Sequence, residues 1–189
     1  MPDVCKAPAA ADALLEEERF QALSSGEAKI VEAAASRIFP TTDTPGAAEA
    51  GVVHYIDRTL KEIYPKQIAS YREGCAALER NAKETFGRQF TELAPDQQDK
   101  ILSAFEKGTA SGLADASEFF ALLRKHTMEG MFCEPMYGGN RGLVGWRLVG
   151  FPGQQFGYED PYINRVVDLE PIAHEMPFSQ QEALDGRKS

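Results

Sequence analysis

The chain has 189 residues, enough for one well-filled core and few for two. With 43% apolar and 26% charged residues it has the balance of a soluble globular domain, which excludes disorder throughout. A net charge of -9 turns away nucleic acid, whose phosphates are gripped by Lys and Arg, and no window approaches the ~18 consecutive apolar residues of a membrane span, so no direct membrane insertion is expected.

Residues 1–24 read as an N-terminal segment, partly helical through "DALLEEERFQAL". It shows no basic head, long apolar run or twin arginine, so no export signal is expected in this numbering: the protein is cytoplasmic or a presequence has been removed. Residues 25–157 read as a single helical domain. Ser25 precedes "GEAKIVEAAASRIF", where Ile30, Val31, Ala34 and Ile38 recur at helical spacing until Pro40 stops them. In "PTTDTPGAAEAG", Thr44 is expected to cap a helix whose first position is Pro45. Val52, Val53, Ile56, Leu60 and Ile63 then form an apolar stripe opposed by Arg58, Lys61 and Glu62.

Pro65 opens a long helix with Ile68, Tyr71, Cys75, Leu78, Ala82 and Phe86 facing a core. Pro95 starts another that buries Ile101, Leu102 and Phe105 and stops near Gly108. "DASEFFALLRKHTMEGMF" follows with Phe119, Phe120, Leu122, Leu123, His126 and Met131, weakened at its end by Gly130. Beyond Phe132 the texture changes: seven of sixteen glycines lie between Gly138 and Gly157, a density read as excluding helix and long strand, yet the stretch is rich in large apolar groups. Residues 158–189 read as an extended C-terminal tail. The fold class expected is all-α: five or six helices in a bundle-like domain, with an ordered, Gly/Pro-rich, largely irregular C-terminal third.

Chemistry is sparse. His126, Glu129 and Cys133 fall at i, i+3 and i+7, a spacing able to set an imidazole, a carboxylate and a thiol on one helical face as a metal site or activated cysteine; the plainer reading is a hydrogen-bonded histidine near a helix end. "GGNRGLVGWRLVG" lacks the spacing of a dinucleotide or phosphate loop, no G-x-S-x-G elbow occurs, and the three cysteines, Cys5, Cys75 and Cys133, form no C-x-x-C pair. No catalytic, metal or cofactor-binding residue is therefore assigned, and an accessory subunit is the stronger reading. Its interface would use Tyr137, Trp146 and Phe151 as anchors, Gly138 and Gly139 for close backbone approach, Asn140 for a left-handed turn, and Arg141 and Arg147 toward carboxylates. For Trp146 the alternative is packing on the domain's own core.

Residues 126–153, "HTMEGMFCEPMYGGNRGLVGWRLVGFPG", resemble the signature of the gluconate 2-dehydrogenase subunit 3 family, the small (gamma) subunit of bacterial membrane-associated sugar and polyol dehydrogenases. "RIFPTTDTPGAAEAGVVHYIDRTL", residues 37–60, resembles that family's upstream segment, including its "I-D" pair at Ile56 and Asp57; with "ELAPDQQDKIL" the resemblance covers roughly residues 28–153. It implies a non-catalytic partner of a large subunit similar to the glucose-methanol-choline oxidoreductases, which carries the FAD and the catalytic histidine. A cytochrome c subunit commonly takes the electrons onward. The small subunit is implied to assist folding, stability and export of the large one, typically through a twin-arginine signal, which places the complex in the periplasm. Cys133, at the mouth of the loop, is a candidate for a disulfide within or between chains in an oxidising compartment. The runner-up readings are a stand-alone metal- or thiol-dependent enzyme centred on His126, Glu129 and Cys133, and a cytoplasmic scaffold with another partner.

Overall fold

The computed structural model describes residues 20–151 and 153. The expectation of an extended tail over residues 158–189, and most of the N-terminal helix expectation, lie outside them. Among the described residues the chain is all helical, as the periodicities require: α1 Ser25–Ile38, α2 Val52–Glu62, α3 Ile68–Phe86, α4 Pro95–Glu106, α5 Ala116–Phe132 and α6 Val144–Val149. Single 3-10 turns at Pro65–Gln67, Phe90–Glu92, Pro135–Tyr137 and Arg141–Leu143 join or extend them.

The helix starts follow side-chain chemistry. Ser24, not Ser25, caps α1: its hydroxyl receives the Glu27 amide while the Glu27 carboxylate receives the Ser24 amide at 2.8 Å, so two donors that the first turn leaves free are satisfied reciprocally. Proline opens α4 at its first position, where no amide is needed. Thr44 and Pro45 do not start a helix; α2 begins at Val52. The Glu49 carboxylate takes the Thr41 hydroxyl at 2.7 Å and the Gly46 amide at 2.9 Å, and the chain makes a single turn over residues 47–51 that ends at Gly51, whose φ is 67°. The Thr41 hydrogen bond holds that carboxyl below the usual glutamate value.

α5 runs through the centre, packed along α2 and α4, and α1 lies against α2, α3, α4 and α5. The expected apolar faces meet there. Val52, Val53, Ile56 and Leu60 of α2 are buried, as are Tyr71, Cys75, Leu78 and Ala82 of α3 and Ile101, Leu102 and Phe105 of α4. Ile63 departs from the stripe and is 57% exposed, because the helix has already ended at Glu62. Gly130 sits inside α5 against Val52 and Tyr55, where a side chain would hold α2 away.

One buried charge organises the entry to the bundle. Asp57 lies on the buried face of α2, 6% exposed, and its carboxylate accepts three successive amides, Gln21 at 2.8 Å and Ala22 and Leu23 at 2.9 Å. With their amides engaged by Asp57, residues 21–23 form bends although the sequence there reads as helix. Hydrogen bonds to a charged acceptor contribute more than neutral ones, so Asp57→Asn, which keeps the shape and removes the charge, is expected to lower stability by about 2–3 kcal/mol in urea unfolding. A loss below about 0.5 kcal/mol would mean the three bonds do not anchor the segment.

Candidate functional site

The glycine-rich stretch is built as the end-piece of α5. An α-helix leaves its last carbonyls without internal partners, and here the following residues double back to supply donors. The Asn140 amide donates to the Gly130 carbonyl at 2.8 Å, the Asn140 side-chain NH2 donates to the Cys133 carbonyl at 2.9 Å, and the Trp146 indole N–H donates to the Phe132 carbonyl at 2.8 Å. The remaining Asn140 side-chain oxygen accepts the Gly145 amide at 2.9 Å, which fixes the start of α6. Asn140 is wholly buried, and its φ of 47° is one that asparagine tolerates.

Two glycines are required by this return path. A β-carbon at Gly139 would run into the Gly130 carbonyl oxygen, and one at Gly145 would run into that of Met131, so only a bare backbone can lie this close to α5. Leu143 holds a φ of 60°, unusual for its type, with its side chain buried. The reading of this stretch as free of helix is corrected: it contains two 3-10 turns and the six residues of α6, because glycines at its bends leave Val144–Val149 uninterrupted except at Gly145.

The loop also docks on the turn before α2. The Arg141 amide donates to the Ala50 carbonyl at 3.0 Å, and the Arg141 side chain lies over Gly51. Arg58 of α2 donates to the Met136 carbonyl at 2.7 Å. The two sequence stretches singled out separately, around residues 37–60 and 126–153, are thus one contiguous unit.

The eight residues assigned to an interface separate into two groups. Asn140, Trp146 and Gly139 are buried within the chain, so Trp146 follows its core-packing alternative, with Phe151 edge-on at 4.8 Å between ring centroids. Tyr137, Arg141, Arg147 and Phe151 are exposed, and Gly138 is half-buried against the backbone of His54. Cys133 is half-buried and, like Cys75, a free thiol.

His126, Glu129 and Cys133 are not brought together. His126 is fully buried, its ring nearly parallel to those of Tyr64 and Tyr71, and its Nδ1 shares a hydrogen bond of 3.0 Å with the Tyr71 hydroxyl. Its Nε2 has no hydrogen-bond partner. Glu129 instead accepts from the Tyr55 hydroxyl at 3.2 Å and pairs with Lys125. Burial pushes the Cys133 thiol up to about 11 and the Tyr55 phenol up to about 12, the opposite of an activated nucleophile. Among the described residues no group of three His, Cys, Asp or Glu side chains is placed to hold a metal ion.

Sequence reasoning named Asp57 only as part of the family's I-D pair, with no role, and missed Glu49. Asp57 could have been found, since it stands four residues after Val53 and three before Leu60 on the apolar face of α2, where an unpaired carboxylate would be costly. Glu49 left no comparable signal.

The fold and the loop define a small helical protein whose polar loop residues serve its own architecture and leave an aromatic surface outside. The chain belongs to the gluconate 2-dehydrogenase subunit 3 family, whose model matches residues 25–153, and that family consists of subunits of a multi-subunit dehydrogenase complex. No curated protein and no solved structure shows a match.

Two outcomes follow from this geometry. Asn140→Ala leaves the Cys133 carbonyl and Gly145 amide without partners and is expected to cost about 2–4 kcal/mol, with the emission of Trp146 shifting red as its indole becomes wet. An unchanged spectrum and unfolding midpoint would contradict the end-piece role. Burial lowers the His126 pKa from its ordinary 6.5, so the folded state binds fewer protons than the unfolded chain. The stability arising from that neutral imidazole is complete above 6.5 and lost as pH falls below it. Between pH 7 and 5 the wild type should lose on the order of 1 kcal/mol more than His126→Gln does; parallel pH profiles would refute the assignment.

Proposed function

We propose that the chain is the non-catalytic small, gamma-type subunit of an FAD-dependent dehydrogenase that oxidises CH–OH groups of sugars or glycosides. It binds no FAD; the flavin and the catalytic histidine belong to a large subunit of glucose-methanol-choline type. The small subunit supports folding, stability and export of that partner. The complex works in the periplasm and hands its electrons to a cytochrome c subunit. The observation that carries this reading is the family match over residues 25–153.

The local chemistry agrees with a partner-dependent role. The polar groups nearest to a catalytic cluster are engaged with tyrosines, and the Cys133 thiol is raised away from reactivity. The test is to express the flavoprotein subunit encoded beside this chain with and without it and to assay dye-linked sugar oxidation. Soluble yield and activity are expected to depend on co-expression. A large subunit indifferent to this chain would overturn the reading, and dye reduction by this chain alone would return the choice to a stand-alone enzyme.

A further inference from the structure

Seven large apolar side chains are markedly exposed among the described residues, and five of them fall within the end-piece of α5: Met136, Tyr137, Leu148, Val149 and Phe151. Val149 is 60% exposed and Phe151 42% exposed. Between them, Phe132 and Trp146 lies an open, mainly apolar groove of about 520 Å³, with Glu134 at its edge. Its floor is held in place, because Trp146 is buried, tied to the Phe132 carbonyl through its indole N–H and stacked edge-on with Phe151. A fixed aromatic floor with apolar lips suits an inserted side chain, since little ordering is left to be done on binding.

Charge narrows the occupant. The chain carries 29 acidic side chains, yet residues 135–157 contain none, and their two arginines, Arg141 and Arg147, are both exposed. Arg141 and Arg147, the latter on α6 beside Leu148 and Val149, are the charged groups this stretch exposes on a chain of net charge -9, while Glu134 is the charged residue that lines the groove itself. A second copy meeting it face to face would bring one acidic body, of net charge -9, against another. An anionic membrane would be gripped weakly, because lipid-binding surfaces commonly cluster about 4–8 basic residues.

Building on the subunit reading above, we propose that Phe132, Leu148, Val149 and Phe151 form the docking face for the catalytic subunit, which seats an apolar side chain in the groove and sets carboxylates opposite Arg141 and Arg147. This moves the contact from the buried Trp146 and Asn140 to the last turn of α6 and the residues beyond it.

The test uses the full chain and the flavoprotein subunit encoded with it, with affinity measured by titration calorimetry. The variants are Val149→Asp, Phe151→Asp and Arg147→Glu, with Ile63→Asp as a control that is equally exposed but lies beyond the end of α2. All four change exposed positions, and thermal unfolding verifies that each is folded. Val149→Asp and Phe151→Asp should each weaken binding by about tenfold or more while Ile63→Asp stays within about twofold. Arg147→Glu should weaken binding and flatten the salt dependence of the affinity. Wild-type binding left undiminished by the three face variants would overturn the location and leave the subunit reading standing. No binding by the wild type would overturn both. Sedimentation of the wild type, but not Val149→Asp, with phosphatidylglycerol vesicles, or dimerisation abolished by Val149→Asp, would give the face to a lipid or to a second copy and overturn the proposal.

Discussion

The last turn of α5 leaves carbonyls that the helix itself has no donors for, and a buried carbonyl left bare costs about 1–3 kcal/mol. Helices ending at a surface give such groups to water. α5 ends inside the molecule, between α2 and the returning chain, so its donors must come from protein. Asn140 provides two of them and Trp146 a third. The glycines follow from this need, because a donor reaches the end of a helix only if its own backbone lies nearly in contact with it, as Gly139 and Gly145 do. What reads in sequence as a flexible, aromatic-rich loop is a cap with little freedom.

The same logic joins the two halves of the family signature. Glu49 closes the turn before α2, Ala50 receives the Arg141 amide, and Asp57 gathers the chain that leads into α1. The first is a local closure; in the other two a backbone group is satisfied by a residue distant in sequence. The signature of this dehydrogenase-subunit family is thus, in this chain, first a description of how the helices are joined. The surface available to a partner is what remains after the joints are made, and it is mainly apolar, with Glu134 lining its groove and Arg141 and Arg147 exposed in the same loop.

Helix positions were readable because they depend on local periodicity: the buried faces of α2, α3 and α4 are the stripes that the spacing predicts, apart from Ile63. The start of α2 was misplaced by seven residues because the Thr44–Pro45 pair is a valid cap in isolation, whereas the chain makes only one turn over residues 47–51 before Gly51, in the left-handed region, precedes α2. His126 and Glu129 lie on α5 as the spacing predicts, but Cys133 stands just past its end in extended backbone, and the three are not brought together. Their partners were not legible, since Tyr71 and Tyr55 are brought to them by α3 and α2 from 55 and 74 residues away.

By itself the sequence determined an all-α core, the order of its helices, an acidic surface and the residues that mark the family. Those depend on interactions within a few residues, or on composition, and survive being read along a line. Only the tertiary structure decided that Trp146 and Asn140 turn inward, that Gly130 lies between two helices, and that Val149 and Phe151 are left outside. Apolar and amide side chains carry no direction of their own; which way they face is set by which distant carbonyl lacks a donor and which backbone comes close enough to need no side chain.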